Sequence, residues 1–243
     1  MEKLTMLDYV KETPGVLRTN IEQYTALVEP LMKEVQQKEI KRILLVASGS
    51  SHNACYCARS FVEKVSGLEV RIITPYTFTY YENDIKETDL VLVVTQSGLS
   101  TNAIEALKII KKKQCRAICL TGNKNSDVKD VADVVIEYGV GEELVGYVTK
   151  GVSSLALFLD LFAIAYSGKI EYLDELKKAV DLNEEMIDQA TSFIQQHYKN
   201  FSSMSWVYSC GAGANYGTAL ESALKMGETI HIPSCCYEIE EYI

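Results

Sequence analysis

Five short, continuous apolar runs recur in the first two thirds of the sequence, and each ends at glycine, threonine, serine or another polar residue. The runs cover residues 43–47, 70–73, 90–94, 115–120 and 134–136. Helical patterns separate most of them. Strands without polar alternation are buried on both faces, which is typical of a parallel sheet covered by helices. The sequence therefore predicts an α/β fold built on a doubly wound, five-stranded parallel sheet.

The pattern divides the chain into three regions. Residues 1–40 are predicted to be helical, with one helix ending at Thr13 before Pro14 and Gly15. Residues 41–168 hold the five strands and form the first domain. Residues 169–243 begin with a linker helix, and then a strand, a glycine turn, a helix and a second strand follow. Because two strands of this kind are not stable alone, we expect an incomplete second domain and a longer natural protein.

Charge and composition exclude several functional classes. The formal net charge of −9 argues against DNA or RNA as a partner, because phosphate backbones favour basic surfaces. No apolar run reaches the length of a membrane span, and residues 152–167 are predicted to form a buried helix. The seven cysteines are odd in number and lack zinc-site spacing, so we expect mostly buried, reduced thiols and no metal. We predict a cytoplasmic protein without a cofactor.

A first hydroxyl-rich segment follows the first strand. Gly49 permits a tight turn, and Ser50 and Ser51 place hydroxyl groups at the start of the next helix. The free N–H groups of a helix start favour an anion such as a phosphate ester. The alternative is that one of the two serines only caps the helix.

A second segment, Thr95-Gln96-Ser97-Gly98-Leu99-Ser100-Thr101, follows the third strand. Its hydroxyl and amide groups are more numerous than helix capping requires. Neither segment holds lysine or arginine, so the sequence predicts a lysine-free pocket in which N–H groups and hydroxyls bind the phosphate. The chain also lacks the Gly-x₄-Gly-Lys-Ser/Thr loop of an ATPase.

Two further motifs lie in the last third of the chain. Residues 211–217 resemble a dinucleotide-binding turn, but Tyr216 stands where that motif needs its third glycine, so a nicotinamide site is disfavoured. On the following helix, Glu221 and Lys225 are four residues apart, and Glu228 lies on the same face. This face is either solvated or supplies a carboxylate that moves a proton between adjacent sugar carbons.

Together these pieces resemble the sugar isomerase (SIS) domain proteins, in particular the double-SIS group. That group includes the isomerase half of glucosamine-6-phosphate synthase and the fructosamine-6-phosphate deglycases. The matching pieces are Glu12-Thr13-Pro14 with Leu17, Gly49-Ser50-Ser51, Thr95-Gln96-Ser97-Gly98-x-Ser100, Glu142-Glu143-x₅-Thr149-Lys150-Gly151 and Leu220-Glu221-x-Ala223-Leu224-Lys225-x₂-Glu228.

The resemblance implies a role for each matching residue. Glu228 would be the general base that moves a proton between C1 and C2 of an open-chain sugar, and Glu221 would order the site. The phosphorylated sugar or amino-sugar would be held by Gly49, Ser50, Ser51, Thr95, Gln96, Ser97, Gly98, Ser100 and Lys150. The resemblance also implies a homodimer or a higher homo-oligomer.

One family feature is not matched. The family has a Glu-x₂-His-Gly-Pro segment whose histidine helps to open the sugar ring, and residues 238–243 match only the approach to it. His52, His197 and His231 lie elsewhere. We therefore expect a truncated chain that binds sugar phosphate and is a poor isomerase. Two hypotheses stay open: an isomerase or deglycase acting on an amino-sugar or glycated-amine phosphate, and a non-catalytic sugar-phosphate sensor.

Overall fold

The computed structural model of the chain describes residues 4–36 and 38–243. Its strands are β1 Arg42–Ala47, β2 Glu69–Ile73, β3 Asp89–Thr95, β4 Ile118–Thr121, β5 Val134–Glu137, β6 Val207–Gly211 and β7 Ser234–Glu238. Its helices are α1 Met6–Glu22, α2 Tyr24–Val35, α3 Gly49–Ser66, α4 Pro75–Tyr80, α5 Thr101–Lys112, α6 Lys150–Ser167, α7 Tyr172–Gln196, α8 Tyr198–Ser202, α9 Ala214–Thr229 and α10 Ile239–Tyr242. A short 3₁₀ helix covers Asp127–Asp130.

The first five strands form one parallel sheet in the order β2-β1-β3-β4-β5, which confirms the predicted fold class. The strand order reverses between β1 and β3, where a crevice opens at the carboxyl edge of such sheets. At that edge Ala47, the last residue of β1, pairs with Val94 of β3. The two hydroxyl-rich segments therefore begin side by side.

Both faces of this sheet are covered. Ile43 and Leu45 of β1 pack into the cluster formed with α1, α2, α3 and α6, whereas Leu44 and Val46 pack into the cluster formed with α4 and α5. Helix α6 is long and apolar enough, by length and composition, to cross a membrane, but 61% of that stretch is buried inside the protein. As predicted from the sequence, it is a buried helix, and it packs mainly against α3.

The first helix continues through Pro14, so the predicted end at Thr13 is wrong. A proline inside a helix removes one backbone hydrogen bond and destabilises the helix. Here Thr13 and Pro14 belong to the buried face of α1, and this packing offsets the cost. The helix ends at Glu22, and Gln23, whose backbone is not helical, separates it from α2.

Strands β6 and β7 form a separate two-stranded parallel sheet. Helix α9 covers one face of this sheet. In the described residues, the other face contacts the short helix α10 and is otherwise exposed, with 51% of Tyr208 accessible. Cys210 and Cys235 are also exposed, and of the seven cysteines Cys55 and Cys119 alone are fully buried, so the prediction of mostly buried thiols is wrong. Gly217 of α9 packs so closely on α3 that a Cβ atom there would lie 2.5 Å from the backbone nitrogen of Cys57.

Candidate functional site

A cavity of about 1120 Å³ opens at the carboxyl edge of the five-stranded sheet. Its wall is formed by the segments that follow β1, β3 and β4, by residues 137–148, and by one face of α9. The predicted site residues on this wall are Gly49, Ser50, Ser51, Thr95, Gln96, Ser97 and Glu228. The structure thus brings together residues separated by up to nearly three quarters of the chain.

The start of helix α3 points into this cavity. The helix begins at Gly49, so Ser50 and Ser51 lie in its first turn rather than in a preceding loop. Ser48 is the N-cap residue, and its side chain makes no capping hydrogen bond. The first N–H groups of a helix have no partner within the helix and carry its positive dipole end. The arrangement therefore leaves an anion-binding end open to the cavity.

The segment after β3 is held in a tight turn. Gly98 has a φ of +67°, and an added Cβ would lie 1.7 Å from the Ser126 hydroxyl, so both its conformation and its neighbour require glycine. The Ser100 hydroxyl accepts a hydrogen bond from the Ala103 N–H at 3.4 Å and caps α5. Neither Gly98 nor Ser100 lies on the cavity wall, in contrast to Ser97.

Three charged residues of α9 meet the start of α3. Glu221 accepts hydrogen bonds from the Ser50 hydroxyl and from the Asn53 amide, both at 2.8 Å. The Lys225 ammonium lies 3.2 Å from Glu221 and 2.5 Å from Glu228, and it donates to the Ser50 hydroxyl at 3.0 Å. The result is a continuous chain of polar contacts from the α3 start to Glu228.

Lys225 lies on the cavity wall, so the predicted lysine-free pocket is wrong. The prediction considered the two hydroxyl-rich segments alone, and these do lack basic residues. The sequence did contain a signal for Lys225. It is four residues after Glu221 and three before Glu228, and such spacings place side chains on one helix face. What the sequence did not show is that this face turns toward the cavity.

Lys150 is placed differently from its expected role. Its side chain is buried in the core, where the ammonium lies 3.1 Å from a Glu12 carboxylate oxygen and 5.2 Å from the centre of the Tyr9 ring. This side chain is not part of the cavity wall. A direct contact between Lys150 and a ligand thus stays a prediction that this arrangement does not favour.

The described residues contain no group of three or more histidine, cysteine, aspartate or glutamate side chains that could hold a metal ion. Tyr216, in the first turn of α9, packs edge-on against Tyr56 of α3, with ring centres 5.6 Å apart. This position stabilises the contact between α3 and α9.

Comparisons with known proteins agree with this geometry. The SIS domain model matches residues 38–165. A glutamine–fructose-6-phosphate aminotransferase (isomerizing) from Caldanaerobacter subterraneus subsp. tengcongensis is 28% identical over 216 residues, which are 84% of this chain and 35% of that protein. The chain thus spans little more than a third of that relative's length.

Two solved structures have the same fold. A protein assigned as a phosphosugar isomerase, from Clostridium difficile 630, superposes with a TM-score of 0.88 at 26% identity, over 99% of this chain and 70% of that one. The C-terminal domain of glucosamine-fructose-6-phosphate aminotransferase from Francisella tularensis gives a TM-score of 0.78 at 22% identity, over 99% and 71% of the two chains.

Proposed function

Because the chain belongs to the SIS domain family, we propose that it binds a phosphorylated sugar in the cavity at the carboxyl edge of the five-stranded sheet. The phosphate lies between the start of α3 and residues 95–97, and the sugar carbons extend toward Glu228. The unpartnered start of α3 carries this proposal most directly. At this helix start a dianion meets N–H donors, the hydroxyl of Ser51 and the positive end of the helix dipole.

The other helix starts at this edge support the same placement of the phosphate. At the start of α5 the Ala103 N–H donates to the Ser100 hydroxyl, and at the start of α6 three N–H groups donate to the Glu143 carboxylate. In the described residues the start of α3 has no such side-chain cap, so an anion that reaches this edge meets no competing side chain there.

Glu228 is proposed as the base that moves a proton between two adjacent sugar carbons. Its carboxylate removes the proton next to the carbonyl group, which leaves an enediolate, and returns the proton to the neighbouring carbon, while the hydroxyl proton passes from one of the two oxygen atoms to the other. Lys225, 2.5 Å away, forms an ion pair with this carboxylate and faces the same cavity. Glu221 holds Lys225 and Ser50 in place.

The three histidines do not line the cavity. The described residues therefore supply no imidazole to open a sugar ring at this site, and the substrate is the open-chain form. Since open-chain forms are a small fraction of a hexose phosphate in solution, we expect slow turnover by this chain. An amino-sugar or glycated-amine phosphate is the proposed substrate class, and β6, β7 and α9 are proposed to belong to a second SIS domain.

Calorimetric titration separates binding from the alternatives. We expect fructose 6-phosphate and glucosamine 6-phosphate to bind, and fructose and glucosamine to bind at least about 100-fold more weakly, because the phosphate contacts supply most of the affinity. Equal affinity for sugar and sugar phosphate would contradict the proposed site. Binding of sugar phosphates without any product would identify a sensor rather than an isomerase.

A variant of the base tests the chemistry. Glu228→Gln is expected to abolish isomerisation and to change the dissociation constant of fructose 6-phosphate by less than about threefold, since the amide keeps the shape and loses the proton acceptor. Glu241→Gln, an exposed carboxylate on α10, is the matched control. Full activity of Glu228→Gln would rule out the proposed base.

A further inference from the structure

The carboxylate of Glu143 occupies the start of helix α6. One of its oxygens accepts hydrogen bonds from the N–H groups of Thr149 at 2.5 Å and Lys150 at 3.1 Å, and the other accepts from the Gly151 N–H at 3.1 Å. Glu143 comes from the segment between β5 and α6, so this contact ties that segment to the helix. A side chain of the protein thus takes the place that an external anion has at a free helix start.

The same carboxylate also holds Gln96, the residue that follows β3. The Gln96 amide nitrogen donates to Glu143 at 2.7 Å, and the Gln96 amide oxygen accepts from the hydroxyl of the fully buried Tyr138 at 3.0 Å. Both ends of the Gln96 side chain are therefore engaged within the protein. The wall around it is tight, because a Cβ at Gly151 would lie 1.7 Å from the Gln96 amide oxygen.

The backbone of Gln96 is fixed as well. Its carbonyl oxygen accepts hydrogen bonds from the Gly122 N–H at 3.0 Å and from the Thr121 hydroxyl at 3.2 Å. The peptide groups of residues 95–97 are thereby held in one orientation beside the start of α3. Pre-orientation of donors reduces the cost of ordering them when a ligand binds.

The geometry points to Glu143 as a positioning residue for the phosphate site, acting through Gln96 and not by contact with the ligand. Glu143 and Gln96 both line the cavity, but the Glu143 carboxylate is engaged by hydrogen bonds within the protein. It fixes the Gln96 side chain at the cavity wall, adds to the backbone contacts that hold residues 95–97, and closes the α6 start to the phosphate so that the ligand binds at α3. This inference rests on the proposed function. It also assigns to the Gln96 side chain a structural role in place of the ligand contact predicted from the sequence.

Glu143→Gln tests the inference with little change in size. Whichever way the new amide turns, its NH₂ group faces N–H donors, either those of Thr149 and Lys150 or those of Gly151 and Gln96. We expect the dissociation constant and the KM for fructose 6-phosphate to rise about tenfold or more, with kcat changed by less than about threefold. A loss of folding stability alone would lower the melting temperature and leave the ligand affinity of the folded protein unchanged.

The matched control is Glu87→Gln, which removes the same charge at an exposed position outside the cavity wall. The Glu87 side chain makes no hydrogen bond or ion pair in the part of the chain that the structure describes. We expect its effect on the dissociation constant to be less than about twofold. An equal loss in both variants would mean that the net charge of the protein matters and not the contact to Gln96, which would overturn the inference.

A double-variant cycle with Gln96→Met shows whether the two residues act together. If Glu143 acts through Gln96, the Glu143→Gln, Gln96→Met double variant binds fructose 6-phosphate no more weakly than the weaker single variant, whereas independent effects multiply. Gln96→Met also serves if Glu143→Gln does not fold, because an unchanged affinity in Gln96→Met overturns the inference by itself. Failure of the wild-type chain to bind any sugar phosphate would instead overturn the proposed function, and the inference with it.

Discussion

The two sheets of the molecule differ in how their faces are covered. Every residue of β3 in the five-stranded sheet is buried, and all of β1 except its first residue is buried too. In β6 and β7 the exposed and half-buried residues alternate, because α9 covers one face only. Three tyrosines, Tyr208, Tyr237 and Tyr242, cluster on the other face with ring centres about 6 Å apart.

The two halves of the proposed site therefore lie on sheets that are buried to different extents. The proposed phosphate-binding groups belong to the start of α3 and to residues 95–97, which adjoin the fully covered sheet. The proposed base, Glu228, belongs to α9, which packs on β6 and β7 and contacts the part of the chain before residue 169 mainly through α3. Here residues 1–168 are called the first unit and residues 169–243 the second unit. Ligand binding should therefore change little when the second unit is altered, whereas catalysis should depend on the α3–α9 contact.

The largest expected effect is on folding, and it separates the two sheets. Phe158→Ala removes a fully buried ring from α6, and we expect the free energy of unfolding to fall by about 3–5 kcal/mol. Tyr208→Ala on the exposed face of β6 is expected to cost less than about 1 kcal/mol. Urea unfolding followed by circular dichroism measures both. Similar losses in the two variants would show that the sheets are covered to the same extent.

A change at the contact between the two units should separate binding from turnover. In Gly217→Ala the new methyl group would lie 2.5 Å from the Cys57 nitrogen, so α9 must shift away from α3. We expect destabilisation of about 1–3 kcal/mol from this overpacking and a loss of most turnover, with a smaller loss of fructose 6-phosphate affinity.

Gly227→Ala is the matched control on the same helix. Its added methyl group would meet only the Ser234 hydroxyl at 3.7 Å, an ordinary contact, and it gains the same helix propensity. Equal effects of the two substitutions would contradict the role assigned to the α3–α9 contact.

The smallest expected effect concerns a polar exception inside the first unit. One carboxylate oxygen of Asp160 on α6 is buried without a hydrogen-bond partner in the described residues, and burial raises the pKa of this group well above its usual 3.8. The folded state therefore favours the protonated form, and its stability falls as the pH rises from about 3.8 through the raised pKa. Asp160→Asn should be more stable than the wild type at neutral pH, by about 1 kcal/mol.

Melting temperatures between pH 3 and pH 8 measure this effect. We expect the curves of the two proteins to converge near pH 3, which is below the pKa of Asp160 in both the folded and the unfolded state, and to separate with rising pH. A variant that is less stable than the wild type at pH 7 would show that the Asp160 carboxylate is stabilised by its surroundings.

The sequence predicted the strands of the first unit well because they are continuous apolar runs. Such runs can be recognised locally, without knowledge of contacts between distant segments. The place of the hydroxyl segments followed from the rule that ligands lie at the carboxyl edge of parallel strands. The roles of Lys225, Glu143 and Lys150 did not follow, since they depend on contacts between distant segments. Pro14 misled for a similar reason: burial of the α1 face outweighs a local helix-breaking preference.

The placement of the phosphate at the open start of α3 is tested most directly by titrating fructose 6-phosphate into the wild-type chain and into Ser51→Asp. The new carboxylate would sit in the first turn of α3, satisfy its N–H groups and repel a dianion, while favouring the helix itself. We predict a loss of affinity of at least about 100-fold without loss of thermal stability. An unchanged dissociation constant in the folded variant would show that the phosphate binds elsewhere.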